Sequence, residues 1–169
     1  LKQVWQNVQD ARTQIDFCAA IIQRYLRDMR RQGGDEARAD MAIVLGDLKR
    51  MIRVHPAAKR NQCVIHIPDE PCLVRAYGLD LLQCLVNLTS NALQASENKL
   101  HVEVYCRNRP ADQTLRELQS TPHDTFLFGE RLAEGTPMVS VTVQDDGPGI
   151  TPEMLPKVFD RFYSTKERG

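Results

Sequence analysis

The sequence has no apolar run approaching the ~18–20 residues that a membrane-crossing helix requires, and its N-terminus lacks the pattern of a signal peptide. A membrane-embedded sensor, if one exists, is therefore expected outside these residues, with no direct membrane contact within them. It also has no excess of either charge. Lys and Arg total 22, as do Asp and Glu, so there is no electrostatic footprint for nucleic acid or an anionic lipid surface. No C-x-x-C pair occurs. Cys18, Cys63, Cys72, Cys84 and Cys106 are scattered, which argues against a disulfide framework or a zinc site and for buried thiols in a reducing cytosol. The four histidines, His55, His66, His101 and His123, are never three or four residues apart, so they offer no helical metal-ligand pair.

What is present suits one compact domain with a helical extension. The 42% of hydrophobic residues can supply a core for 169 residues. From Leu1 to Arg31, apolar residues recur at spacings of three and four through Val4, Val8, Ala11, Ile15, Cys18, Ile22 and Leu26. This predicts an amphipathic helix of about 45 Å, long enough to pack in a dimeric bundle. The other reading is a helix packed on its own domain. Gln32-Gly33-Gly34-Asp35 breaks the pattern, placing a boundary between residues 1–34 and 35–169.

Beyond the boundary, Met41, Val44, Leu45, Leu48, Met51 and Ile52 form a second helical stripe that ends at His55-Pro56. Strands are expected at Cys63 to Ile67, Leu73 to Ala76, Leu100 to Cys106 and Met138 to Val143. Asp80, with Gln83 three residues later, suggests a capping box opening the helix between the second and third of these. Helices and strands mix without strict alternation, which gives an α+β fold whose helices cover one face of a mixed sheet. Residues 109–137 form an insertion, either a binding loop or, the reading we favour, a surface excursion packed back through Phe126-Leu127-Phe128.

Two strings carry the chemistry. Asn87-Leu88-Thr89-Ser90-Asn91-Ala92 sets two carboxamides four residues apart on one helical face, while Leu82, Leu85, Leu88 and Ala92 occupy another. Val139 to Val143 alternates like a strand and runs into Asp145-Asp146-Gly147-Pro148-Gly149-Ile150. Asp145 could accept a hydrogen bond from an exocyclic amine at the bottom of a pocket, choosing adenine over guanine, and the glycines let backbone approach a ligand. Asp-Gly is also common in ordinary turns. Asn91 offers a neutral oxygen to a hard cation such as Mg²⁺, which keeps waters and phosphate oxygens and accepts only one or two protein ligands. Farther on, Phe159, Phe162 and Tyr163 precede Ser164-Thr165-Lys166. That layout suits aromatics anchoring a mobile lid whose hydroxyl and ammonium face phosphates, although Lys166 reads equally well as a solvated lysine.

In this order, the paired asparagines, the D-x-G-x-G segment and the aromatic run resemble the catalytic ATP-binding domain of sensor histidine kinases, over roughly residues 37–169. The resemblance implies a Bergerat-type (GHKL) sandwich that binds ATP and Mg²⁺. It makes Asp145 the adenine-recognising carboxylate, Asn91 the Mg²⁺ ligand and Asn87 a supporting pocket residue. Gly147, Gly149 and Ile150 would line the nucleotide, and Phe159, Phe162, Tyr163, Thr165 and Lys166 would form the lid entry. It implies that residues 1–34 hold the second helix of a bundle that forms a homodimer. It also implies transfer of the γ-phosphoryl group to a histidine preceding Leu1, relay to an aspartate of a response regulator receiver domain, and a cytoplasmic location. None of the four histidines stands in the helical setting of the acceptor. Gln94 replaces a basic residue common among relatives. Relatives continue past the position of Gly169 into a glycine-rich lid segment, a helix and a strand pair, so these residues alone are expected to be inactive and to belong to a longer polypeptide.

Asn87 separates reaction classes. ATPases of related fold commonly hold a glutamate four residues before the magnesium asparagine, as a general base for water. An asparagine cannot serve, whereas a neutral imidazole needs no such activation. The sequence therefore favours protein-histidine phosphorylation over a GHKL-type ATPase. A degenerate phosphotransfer or scaffold protein without ATP is disfavoured by the intact asparagines, Asp145 and glycines.

Overall fold

The computed structural model describes residues 37–111 and 133–158 and scattered positions between 4 and 26. The described positions between 4 and 26 are all helical and are termed α1. The remaining elements are β1 (Ala39–Asp40), α2 (Met41–Arg53), β2 (Gln62–Ile65), β3 (Leu73–Val74), α3 (Gly78–Leu93), β4 (His101–Pro110) and β5 (Pro137–Asp145), with 3-10 turns at Pro56–Lys59 and Leu155–Lys157. They fall into two compact units. The first contains residues 1–109 and 139–147, the second residues 110–138 and 148–169.

In the first unit, α2 begins where Asp40 caps it, its carboxylate accepting from the Ala42 backbone N–H at 2.9 Å. That bond satisfies one of the donors a helix start leaves open. The predicted stripe becomes the buried face, with Met41, Val44, Leu45, Leu48 and Ile52 in the core. Burying each such side chain is worth roughly 1.5–3 kcal/mol. The following turn is capped by His55, whose Nδ1 accepts from the Ala57 N–H.

Helix α3 packs on α2 through Leu82, Leu85, Ala92 and Leu93. Its start differs from expectation. The N-cap is Tyr77, without a side-chain bond, and Asp80 stands in the first turn rather than at the cap. There its charge complements the positive end of the helix dipole. Leu88 differs too. It is 48% exposed, because it stands at the edge of the buried face of α3, between buried Leu85 and Ala92 on one side and exposed Cys84 and Asn91 on the other. Cys84 is likewise exposed, against the expectation of buried thiols, whereas Cys72 is buried and Cys63 and Cys106 are half-buried.

The main sheet has the order β2-β4-β5. β2 runs parallel to β4 in the register Gln62↔His101 through Ile65↔Val104, and β5 lies on the other side of β4. Val102 and Val104 are fully buried against the helices, and Val139, Val141 and Val143 pack on the same core. One face is thus covered, giving the expected α+β arrangement of helices on a mixed sheet. A second, two-stranded sheet pairs β1 with β3 antiparallel, Ala39 opposite Val74. The bundle expected around α1 has no counterpart among the described residues.

In the second unit, Ala111 and Thr136 bond through their backbones at 2.8 Å at the base of the insertion, whose residues 112–132 lie outside the described ones.

Candidate nucleotide site

The alternation of β5 delivers Asp145 at its C-terminal end, and the next residues fix the carboxylate. The Gly147 backbone N–H donates to Asp145 Oδ1 at 2.9 Å, an Asx turn that leaves Oδ2 to accept from a ligand. Asp145 is exposed rather than sunk in a pocket, because the strand's half-buried stretch ends at Val143. Gly147 is required by space. A Cβ there would stand 2.7 Å from Asp145 Oδ1 and 3.1 Å from Ala95 Cβ.

Ala95 follows the end of α3, one turn beyond Asn91. The glycine turn therefore rests against Ala95, just past the end of the helix that carries the asparagines. Asn91 and Asn87 are both exposed on α3. Asn87 faces a pocket of about 220 Å³ whose wall includes Ile22, Leu82 and Val86.

Two residues not singled out in the sequence brace this region. Asp146 accepts from the His101 N–H through Oδ1 at 2.7 Å and donates its own N–H to the His101 carbonyl at 3.3 Å, tying the end of β5 to the start of β4. Asn61, 8% exposed, donates from Nδ2 to the Leu93 carbonyl at 2.7 Å and accepts the Leu100 N–H on Oδ1 at 2.9 Å. It spans the loop between α3 and β4. Both are common residue types at chain positions with no spacing signature, so nothing beyond polarity before a strand marks them in the sequence.

In the second unit, Gly149 has φ +75°, a left-handed conformation that disfavours a side chain, and Ile150 is 53% exposed. Phe159, Phe162, Tyr163, Thr165 and Lys166 lie outside the described residues. Among the described residues, no group of three or more His, Cys, Asp or Glu could hold a metal ion, and no helix is long and apolar enough to cross a membrane.

The profile of the histidine kinase-, DNA gyrase B- and HSP90-like ATPases matches residues 77–169, more than half of the chain. The chain belongs to this family. Among individual proteins, this ATPase-family chain is similar to the sensor histidine kinase TrcS of Mycobacterium tuberculosis, with 32% identity over 63% of the chain and 17% of that protein. It is similar to the sensor protein FixL of Bradyrhizobium diazoefficiens, 27% identical over 89% of the chain and 26% of FixL. It also resembles the sensor kinase CckA of Brucella abortus, 26% identical over 96% of the chain and 16% of CckA. The chain thus spans about a sixth to a quarter of the length of these relatives. Its family domain is the ATP-binding catalytic domain of the sensor histidine kinase type.

Proposed function

We propose that this domain binds Mg·ATP and passes the γ-phosphoryl group to a histidine on a bundle helix preceding Leu1, for relay to an aspartate of a response regulator receiver domain. The carrying observation is the seat of the Gly147 turn against Ala95, which supports a single nucleotide corner made of the Asp145 turn and the Asn91 end of α3.

The residues fit the ligand class. Asp145 Oδ2 would accept the adenine amine, a contact the inverted polarity of guanine cannot make. Gly147 and Gly149 would admit the nucleotide beside bare backbone. Asn91 Oδ1 would be the protein ligand of Mg²⁺, with Asn87 supporting the pocket one turn earlier. The bound cation would supply neutralisation of phosphate charge. Phe159, Phe162 and Tyr163 would anchor the lid, with Thr165 and Lys166 on the phosphates and Ile150 at the nucleotide's edge.

The side chain at position 87 decides against hydrolysis in this reading. A carboxamide takes no proton from water near neutral pH, so the chain would contribute positioning rather than base catalysis. The acceptor imidazole would attack unaided. Val4, Trp5, Val8 and Ile15, all more than half exposed on α1, support its role as a bundle helix in a homodimer. Residues 1–34 would then belong to the bundle and 35–169 to the ATP-binding domain, in the cytoplasm.

Labelled ATP given to the full-length protein tests the reaction class. Acid-labile, base-stable label on the protein is expected. Release of free phosphate without protein label would identify an ATPase instead.

A further inference from the structure

Cys72 and Cys106 stand 34 positions apart in sequence, yet their sulfurs meet at 3.9 Å in the first unit. Cys72 immediately precedes β3 and is 1% exposed, and its carbonyl accepts the Met41 N–H at 2.9 Å where α2 begins. Cys106 lies on β4 and is half-buried. Its S–H donates to Cys72 Sγ, and the Cys72 S–H donates in turn to Asn108 Oδ1 at 3.2 Å. One thiol is thus open enough to meet a small solute, while the second is held against it out of reach of water.

We propose that Cys72 and Cys106 are a reversible oxidation site, closed to a disulfide by a hydroperoxide, and that the bond bolts the β1–β3 sheet and the start of α2 to β4 of the main sheet. In a reducing compartment such a bond is transient and responds to oxidant. It does not depend on the function proposed above.

The chemistry proceeds in two steps. Cys106 Sγ attacks the outer oxygen of the hydroperoxide, the O–O bond breaks, and the leaving oxygen takes the thiol proton, giving a sulfenic acid and an alcohol. Cys72 Sγ then attacks the Cys106 sulfur; the S–S bond forms, the S–O bond breaks, and hydroxide leaves with the Cys72 proton as water. Two thiols and one hydroperoxide become one disulfide, one alcohol and one water. Closure brings the sulfurs from 3.9 Å to about 2.05 Å, a movement that the torsions of two side chains can share. Burial of Cys106 favours its protonated form and slows the first step, so the pair answers to sustained rather than trace oxidant.

Peptide mapping of the full-length protein tests the site. A Cys84→Ser variant, which removes the exposed thiol of α3, is treated with hydrogen peroxide, quenched, denatured in an alkylating agent and digested. The expected product is a peptide pair joined through Cys72 and Cys106, lacking two hydrogens and separated by dithiothreitol. In Cys72→Ser, where Asn108 can still accept a hydroxyl, Cys106 should instead be trapped by dimedone as the sulfenic acid. Closure should slow hydrogen exchange in residues 39–41 and 72–74 about three- to tenfold. The site is overturned if both cysteines are alkylated as free thiols after a peroxide exposure that oxidises Cys84 in the unaltered protein, or if the joined pair forms only in urea-unfolded protein. A formed bond with unchanged exchange in both segments would overturn the bolting.

Discussion

The Gly147 N–H holds the Asp145 carboxylate at 2.9 Å while the absent Gly147 side chain leaves room for that same carboxylate and for Ala95. One residue thus serves the carboxylate twice, once by donating and once by being small. The arrangement ties the orientation of the Asp145 carboxylate to the packing of the turn after β5 on Ala95, just past the end of α3.

Gly147→Ala is therefore expected to push Asp145 Oδ1 aside without unfolding the unit. Losing a well-placed bond to a charged acceptor is worth roughly 1.5–3 kcal/mol, so ATP affinity should fall about 10- to 100-fold. Titration calorimetry, with circular dichroism to confirm the fold, would check it.

Asn61→Ala would leave the Leu93 carbonyl and the Leu100 N–H without their bridge in a buried place. The expected cost is about 2–3 kcal/mol. Urea unfolding should show a lower midpoint with an unchanged slope.

The Cys106 thiol is pushed up to about 11, first by burial and then by its hydrogen bond to Cys72, with the two sulfurs 3.9 Å apart. A thiol held in its neutral form reacts slowly. A chromogenic disulfide reagent near neutral pH should therefore label the exposed Cys84 well before Cys106. The stability effect has a definite sign. Below the ordinary value of 9.0 both folded and unfolded chains keep the proton; above it the unfolded chain releases its proton first, so stability falls from about pH 9 until Cys106 itself ionises. Unfolding midpoints measured between pH 8 and 11 should decline, and less so in Cys106→Ser.

Asp40→Ala removes the side-chain cap of α2. A loss of ~1 kcal/mol is expected, seen as a lower thermal midpoint, with Asp40→Ser close to the unaltered protein.

How much of this was readable in the sequence depended on periodicity. The stripe from Met41 to Ile52 announced α2 because its five buried apolar residues all face one partner layer. Val102 and Val104 announced β4 by alternation. Leu88 misled because hydrophobicity does not say which side of a helix meets the core. β1 is too short to alternate, and its partner β3 was expected without it. The α3 start was misplaced because Gly78 answers to Tyr25, 53 positions away in sequence, and not to local capping. For the site, the asparagine pair and the D-x-G-x-G string were visible as residue types. The approach of Gly147 to Ala95, and the braces supplied by Asn61 and Asp146, arise from tertiary contact alone.

The most direct test is the affinity of the full-length protein for Mg·ATP and Mg·GTP, with and without Asp145→Ala. The account predicts that the unaltered protein prefers ATP and that the variant loses at least about tenfold in ATP affinity, as expected for a bond to a charged acceptor. Equal ATP affinity in the two proteins would contradict the assignment of Asp145 as the adenine-selecting residue and, with it, the nucleotide corner described above.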